Sequence, residues 1–267
     1  MSHVIAIANQ KGGVGKTTTA INLGASLAVA EKHTLILDID PQGNATSGLG
    51  IEPRSSRPTI YDVLIGESEV SDATVREVHF PFLDVVPSTR DLVGAEIELV
   101  SAFSRETILR NHLEPVREQY DFILVDCPPS LGLLTVNTLT AADSVMIPIQ
   151  CEFYALEGLS QLLNTVRLVQ RGLNPDLDID GVLLTMYDKR LNLSKQVSEE
   201  AREYFGPKVY RSAIPRNVRL AEAPSFGQPI VLYDALSSGA QAYLSLAHEV
   251  IDRQSRAQAK VSAEMSS

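Results

Sequence analysis

Residues 10–18 read Gln-Lys-Gly-Gly-Val-Gly-Lys-Thr-Thr, directly after the apolar run Val4-Ile5-Ala6-Ile7-Ala8. A glycine-rich backbone followed by lysine and two threonines is chemistry for holding a chain of phosphates. Gly12, Gly13 and Gly15, with Val14 between them, let the main chain approach an anion without a Cβ in the way. A helix starting near Lys16 points its free N–H groups and the positive end of its dipole at the same anion. Lys16 then reaches the β- and γ-phosphates, Thr17 places its hydroxyl on Mg²⁺, and Thr18 lies near the α-phosphate. The expected cofactors are ATP and Mg²⁺. A plain turn joining strand to helix would need none of Lys16, Thr17 and Thr18.

One position is unusual. The pattern G-x-x-x-x-G-K-[ST] begins with glycine, and here Gln10 stands there, followed by a second lysine, Lys11. A triphosphate needs one lysine from its own loop, so Lys11 is read as a charge for a phosphate that Lys16 does not serve. The plainer reading is a solvated surface lysine.

Two more segments end in carboxylates. Thr34-Leu35-Ile36-Leu37 leads into Asp38-Ile39-Asp40-Pro41-Gln42-Gly43-Asn44, and Phe122-Ile123-Leu124-Val125 leads into Asp126-Cys127-Pro128-Pro129-Ser130. Ligands of open parallel sheets bind outside the carboxyl ends of the strands, where these aspartates fall. Asp126 suits Mg²⁺ held through water, Asp40 suits the orientation of an attacking water, and Asp38 suits sensing the metal or fixing its loop. Any one of them alone would read as a turn or cap residue.

The elements that must position these groups alternate in type. Strand-length apolar runs fall at about 3–8, 34–38, 82–86, 121–126, 144–149, 180–186 and 208–214. Helical patterns fall at about 16–31, 91–118 (broken near Ser104), 131–141, 155–171, 192–205 and 237–254. The alternation predicts an α/β fold with a mostly parallel central sheet and helices on both faces, like a P-loop NTPase. With 267 residues and no linker or repeat, one ATPase domain over 1–267 is expected, with about 254–267 a frayed polar tail. Cys127 and Cys151 lack a C-x-x-C spacing and read as strand-end packing in a reducing cytoplasm. No signal peptide or membrane span is expected.

With these motifs in place, the sequence resembles the ParA/Soj family of deviant-Walker ATPases from about residue 3 to about residue 252. The resemblance rests on 11–19, 38–50 and 94–100, and on Asp126-Cys-Pro-Pro-Ser-Leu-Gly-Leu-Leu134, Glu157-Gly-Leu-Ser-Gln-Leu-Leu163 and Ile214-Pro-Arg-Asn-Val-Arg219. It is to the chromosomal type without an extra N-terminal DNA-binding domain. The resemblance implies an ATP-driven homodimer in which Lys11 crosses to the partner's nucleotide, nonspecific binding of double-stranded DNA, and hydrolysis stimulated by a ParB-type centromere-binding protein. It also implies a cytoplasmic, nucleoid-associated location and base contacts from Pro215 and Asn217; from sequence alone, Pro-Arg-Asn is a turn.

The net charge of -10 argues against nucleic acid as a whole-molecule quantity, but it is unevenly spread. Residues 189–219 hold eight Lys/Arg against three acids, a local +5 that leaves -15 elsewhere. Charge alone reads as a solvated helix face. The resemblance places DNA contacts at Arg190 and Arg219, with Lys189 and Lys195 beside them, and departs from the family at Ser194, where relatives often carry glycine.

Three rival readings are weaker. A dinucleotide fingerprint wants glycine where Thr18 stands and leaves Lys16 and Thr17 unused. A MinD-like membrane ATPase shares the loop, but the C-terminal segment has only Val261 and Met265 as larger apolar groups. A nitrogenase-iron-protein-like reductase needs exposed cysteines, and Cys127 is wedged between Asp126 and two prolines.

Overall fold

The computed structural model describes residues 2–52, 57–152 and 158–264. Seven strands form one parallel sheet: β1 (His3–Ile7), β2 (Thr34–Asp38), β3 (Leu83–Val86), β4 (Phe122–Asp126), β5 (Ser144–Gln150), β6 (Asp178–Tyr187) and β7 (Val209–Pro215). Their order across the sheet is β3-β2-β4-β1-β5-β6-β7. The helices are α1 (Lys16–Val29), α2 (Asn44–Gly48), α3 (Ile60–Leu64), α4 (Val70–Ala73), α5 (Leu92–Glu98), α6 (Ile108–Arg117), α7 (Leu133–Ala141), α8 (Leu159–Gly172), α9 (Asn192–Phe205), α10 (Val218–Glu222), α11 (Ile230–Tyr233) and α12 (Ser238–Glu264). The expected α/β architecture is therefore observed, down to each of the seven strands.

Continuous apolar strands are what a sheet covered on both faces requires. Alternate side chains feed two separate cores. Val4, Ala6, Leu35, Leu37, Ile123 and Val125 pack beneath α5 to α9. Ile5, Ile7, Ile36, Phe122 and Leu124 pack against α1 and α12 on the other face. Full burial of each such side chain is worth about 1.5–3 kcal/mol, so the central strands are fixed in register. That register sets Ile7 level with Asp126, and Asp126 level with Asp38 on the neighbouring strand.

Several boundaries differ from expectation. The long pattern at 91–118 breaks as expected: α5 and a 3₁₀ turn at Leu99–Ser101 precede α6, and Ser104 takes φ 53° in the gap. The expected start of α8 at 155, and Glu157, lie outside the described residues. The helix α12 runs on to Glu264, into the stretch 254–267 expected to be a polar tail. Its last stretch holds alanines, glutamines and charged residues with no Gly or Pro, a composition of good helix formers that nothing interrupts.

At the β7 edge the ladder is irregular. Val182 pairs with Val209 but Leu184 with Ala213, so β7 bows outward between them. Glu249 of α12, 7% exposed, fills the bow. Its two oxygens accept the Arg211 and Ser212 backbone N–H groups at 2.9 Å, and the Arg253 guanidinium donates to it at 2.9 Å. Burial pulls the Glu249 carboxyl upward, but these donors outweigh it and hold the group below its ordinary range.

A folded-state pKa below the unfolded one stabilises above the unfolded pKa and loses that contribution as pH falls through the folded value. Glu249→Ala should lower the unfolding free energy by about 2–4 kcal/mol, because it orphans two N–H groups and an arginine. In urea unfolding, the gap between wild type and Glu249→Gln should hold from about pH 7 to about pH 5 and shrink as the pH falls below about 4.3; a gap independent of pH would contradict this account.

Candidate functional site

β1 delivers the chain to the phosphate loop, and Asn9 anchors its start. The Asn9 amide donates to the Pro148 carbonyl of β5 at 2.7 Å, and its oxygen accepts the Lys11 N–H at 2.9 Å. The single hydroxyl proton of Thr185, near the end of β6, is shared between the Val14 carbonyl at 2.8 Å and the Ile149 carbonyl at 3.1 Å. Gly13 and Gly15 take φ 74° and 90°, in the left-handed region that a Cβ disfavours. Gly15 precedes α1, whose start has no side-chain cap and no acidic residue in its first turn. The first-turn N–H groups of a helix lack intrahelical partners, so Lys16, Thr17 and Thr18 present theirs to the loop.

The charged groups converge under this loop. Lys16 is 7% exposed and its Nζ donates to the Lys11 carbonyl at 3.4 Å. Burial lowers its pKa, opposed by Asp126, Cys127 and Asp40. Asp38 is fully buried; it accepts the Thr46 N–H at 2.8 Å, the Thr46 hydroxyl at 2.7 Å and the Asp40 N–H at 3.2 Å. Burial nevertheless pushes its carboxyl up to about 6. Asp126 is also fully buried, yet neither of its oxygens has a hydrogen-bond partner. Burial first, then Asp38 beside it, push its carboxyl well above the usual range, although Thr17 and Lys16 favour the charged form. An orphaned buried carboxylate is costly, and a cation is the group that would offset it. Among the described residues no cluster of three His, Cys, Asp or Glu could hold a metal alone. Mg²⁺ keeps water and phosphate oxygens as ligands, and Thr17 and Asp126 are the side chains that could hold it. Asp38 is committed to Thr46 and orders the segment after β2.

Asp40 accepts the Gln42 N–H at 2.9 Å, and its carbonyl accepts the Ser88 hydroxyl at 2.9 Å. It lines, with Gly12, Gly13, Lys16 and Thr17, an open cavity of about 520 Å³. A second cavity of about 380 Å³ shares Gly15, Thr18 and Met186 with the first and is walled by Ile214, Pro215, Val218, Leu220 and Tyr243. The first is lined by the loop's lysine and threonines with Asp40, the second mostly by apolar side chains. Pro215 and Asn217 both line this second, apolar slot. The Asn217 amide also works locally: its oxygen accepts the Arg219 N–H at 2.8 Å as the cap of α10, and its nitrogen donates to Ser238 at 2.8 Å.

Lys11 is half-buried and its ammonium makes no ion pair among the described residues. Arg190 and Arg219 follow β6 and β7, so they emerge from the carboxyl ends of adjacent strands. Each is already paired. Arg190, 83% exposed, meets Asp188 at 2.7 Å, which holds the Asp188 carboxyl at about 2. Arg219 meets Glu222 at 2.9 Å and Asp234 at 3.6 Å. Lys189 and Lys195 are exposed. Ser194, the departure from the family pattern, is buried and accepts the Asp188 N–H at 3.4 Å.

Sequence reasoning missed Thr185, Thr46 and Met186. Thr185 carried a usable signal, a polar residue ending an apolar strand, as Asp38 and Asp126 do. Met186 takes φ 50°, which no pattern announces. Both cysteines are buried free thiols, Cys127 pushed up to about 12 and Cys151 to about 11 by burial, so neither offers the exposed thiol that cluster bridging requires. No described helix is long and apolar enough to cross a membrane.

A glycine loop and helix start facing a buried lysine and strand-end aspartates define a P-loop nucleoside triphosphatase. A family model described as an AAA domain matches residues 2–179. The chain is 62% identical over 250 residues to the sporulation initiation inhibitor protein Soj of Bacillus subtilis, covering 94% of this chain and 98% of that one. It is 56% identical over 260 residues to the chromosome partitioning protein ParA of Caulobacter vibrioides, covering 97% of each. A solved structure described as cobyrinic acid a,c-diamide synthase from Mycobacterium smegmatis, with bound ADP and magnesium, superposes with TM-score 0.83 at 37% identity over 96% of both chains. The chain belongs to the ParA/Soj family of partitioning ATPases.

Two substitutions check the geometry. Gly15→Ala should strain the loop and weaken nucleotide binding by about 1–2 kcal/mol, read by titration with a fluorescent nucleotide. Asp126→Asn should stabilise the nucleotide-free protein by roughly 1–3 kcal/mol while removing any gain in affinity from added Mg²⁺. A variant less stable without nucleotide would show that the carboxylate is not the electrostatic burden described.

Proposed function

We propose that this ATPase is a switch for segregating a chromosome or plasmid. ATP brings two copies face to face, the dimer binds duplex DNA without sequence preference, and a ParB-type partner stimulates hydrolysis and release. The observation that carries this reading is the division of labour between the two lysines. Lys16 is buried against the Lys11 carbonyl and serves its own loop, whereas the half-buried Lys11 ammonium makes no ion pair among the described residues. A cation supplied across a dimer stabilises phosphate charge only when the dimer exists.

Within one subunit, the N–H groups of 12–18 bind the phosphates and Lys16 orients the β- and γ-groups. The apolar slot with Pro215 and Asn217 receives the base. Mg²⁺, when bound by Thr17 and Asp126, neutralises charge developing on the leaving phosphates. Asp40 orients the attacking water, and Asp38 keeps the following loop in register through Thr46. Hydrolysis by the chain alone is slow because Lys11 is completed only by assembly.

DNA is held by Arg190, Arg219, Lys189 and Lys195, in the one basic window of an acidic chain. The carboxylates of Asp188, Glu222 and Asp234 occupy the two arginines meanwhile. Exposed pairs of this kind contribute little, so a phosphate replaces them readily. Such binding makes the protein cytoplasmic and nucleoid-associated.

Light scattering with ATP should show dimers for wild type and monomers for Lys11→Ala that still binds nucleotide; a dimeric, fully active Lys11→Ala would refute the trans role. Asp40→Ala should trap the ATP-bound dimer on DNA, and normal turnover in that variant would remove Asp40 from the water site. Wild type should hold duplex DNA with ATP but not with ADP or no nucleotide. Arg190→Ala or Arg219→Ala should weaken all sequences alike and flatten the log–log salt slope by about 0.9 per lost phosphate contact. Equal DNA binding in all nucleotide states would overturn the switch.

A further inference from the structure

At the amino-terminal end of β7, opposite the end that meets the nucleotide slot, lies a separate concavity of about 520 Å³. Four elements converge on it. Arg202 comes from α9, Lys208 from the turn before β7, Arg211 from β7 itself, and Arg253 and Arg256 from α12. The carboxylates on its lining are Glu249 and Asp252. Five cations against two acids give a local +3 on a chain whose net charge is -10.

The floor is built, not merely solvated. The Arg253 guanidinium lies 4.0 Å from the centre of the Tyr210 ring and donates to the Asp180 carbonyl and to Glu249, each at 2.9 Å. Its seat depends on Gly181, where a Cβ would come within 2.9 Å of the guanidinium and 2.6 Å of the Tyr210 ring. Tyr210 in turn donates to the half-buried Asp180 carboxylate. Glu249 is consumed by the β7 backbone and Arg253, and Lys208 by Asp178 at 2.5 Å. Arg211 approaches Glu249 only to 3.9 Å and is 76% exposed. Arg202 and Arg256 are exposed and have no carboxylate within ion-pair distance among the described residues.

We propose that this concavity is a second anion site, for a compact ligand of two or three linked phosphoryl groups. Guanidinium groups match phosphate oxygens in paired, planar geometry, and here they converge from several sides on a hollow, which suits a short oligophosphate better than the long groove of a duplex. Arg253 forms a fixed floor, while Arg202, Arg211 and Arg256 close over the ligand. Asp252 on the rim limits the ligand to one carrying several charges.

Calorimetric titration of the full chain with inorganic triphosphate, the phosphate loop filled by saturating ADP, should reveal one saturable site per chain. Arg202→Ala/Arg256→Ala should weaken it at least about tenfold, while Arg202→Lys/Arg256→Lys keeps most of the affinity and ATP hydrolysis without DNA is unchanged in both. These side chains are exposed, so neither double variant should fail to fold, which circular dichroism verifies. No saturable binding in wild type, or equal binding in the alanine variant, overturns the site. Displacement of bound triphosphate by a short DNA duplex would make the phosphates of a nucleic-acid backbone its source; no displacement would make free oligophosphates the source. Duplex binding that depends on these arginines without any triphosphate binding would overturn the compact-anion site.

Discussion

Asp38 and Asp126 sit level with each other on adjacent parallel strands, both out of reach of water, with one buried ammonium nearby. Two neighbouring carboxylates in a low-dielectric interior repel strongly. The protein resolves half of this conflict internally: Thr46 and the Asp40 N–H satisfy Asp38. The other half stays open at Asp126. Much of the surrounding architecture follows from where that unresolved charge lies. The loop above must be glycine-rich to bring phosphates close, and the segment after β2 must fold back so that Thr46 reaches Asp38. The apolar strands beneath must hold the two carboxylates level against their repulsion.

The sheet distributes tasks by position. Its centre, β4 and β1, carries the unpartnered Asp126 carboxylate and the loop. β2 carries the carboxylates next to it. β6 and β7 line the slot and lead into the segments with the basic residues. Thr185 connects these regions by hydrogen-bonding both Val14 of the loop and Ile149 of β5. The next residue, Met186, borders both cavities in a left-handed conformation. Backbone strain of this sort persists only where surroundings enforce it, and it lies where the two cavities meet.

The central strands and the phosphate loop could be read directly from residues, because burial on both faces leaves an unbroken apolar run and the loop needs glycine and lysine at fixed spacing. The same logic located Asp38, Asp40 and Asp126. What stayed hidden depends on distant parts of the chain. α2, α3, α4, α10 and α11 are four or five residues long, too short to display a period. The pairing of Arg190 with Asp188 and of Arg219 with Asp234 is a matter of side-chain placement. Asn217 looked like a base contact by resemblance, yet it also caps α10, a role visible only once Arg219 and Ser238 are in place. The bow in β7 was invisible too, since Glu249 is some forty residues away from the N–H groups it accepts.

That bow governs how copies of the molecule can associate. An exposed edge strand offers free N–H and C=O groups to any passing strand, and such templates seed open-ended stacking. At β7 the two donors in the bowed stretch already point into a carboxylate of the same chain, and the strand bends away from a straight pairing geometry. A neighbour therefore meets an edge that refuses its backbone. Any contact between copies of the chain on this side is thereby left to side-chain surfaces rather than to continuation of the sheet.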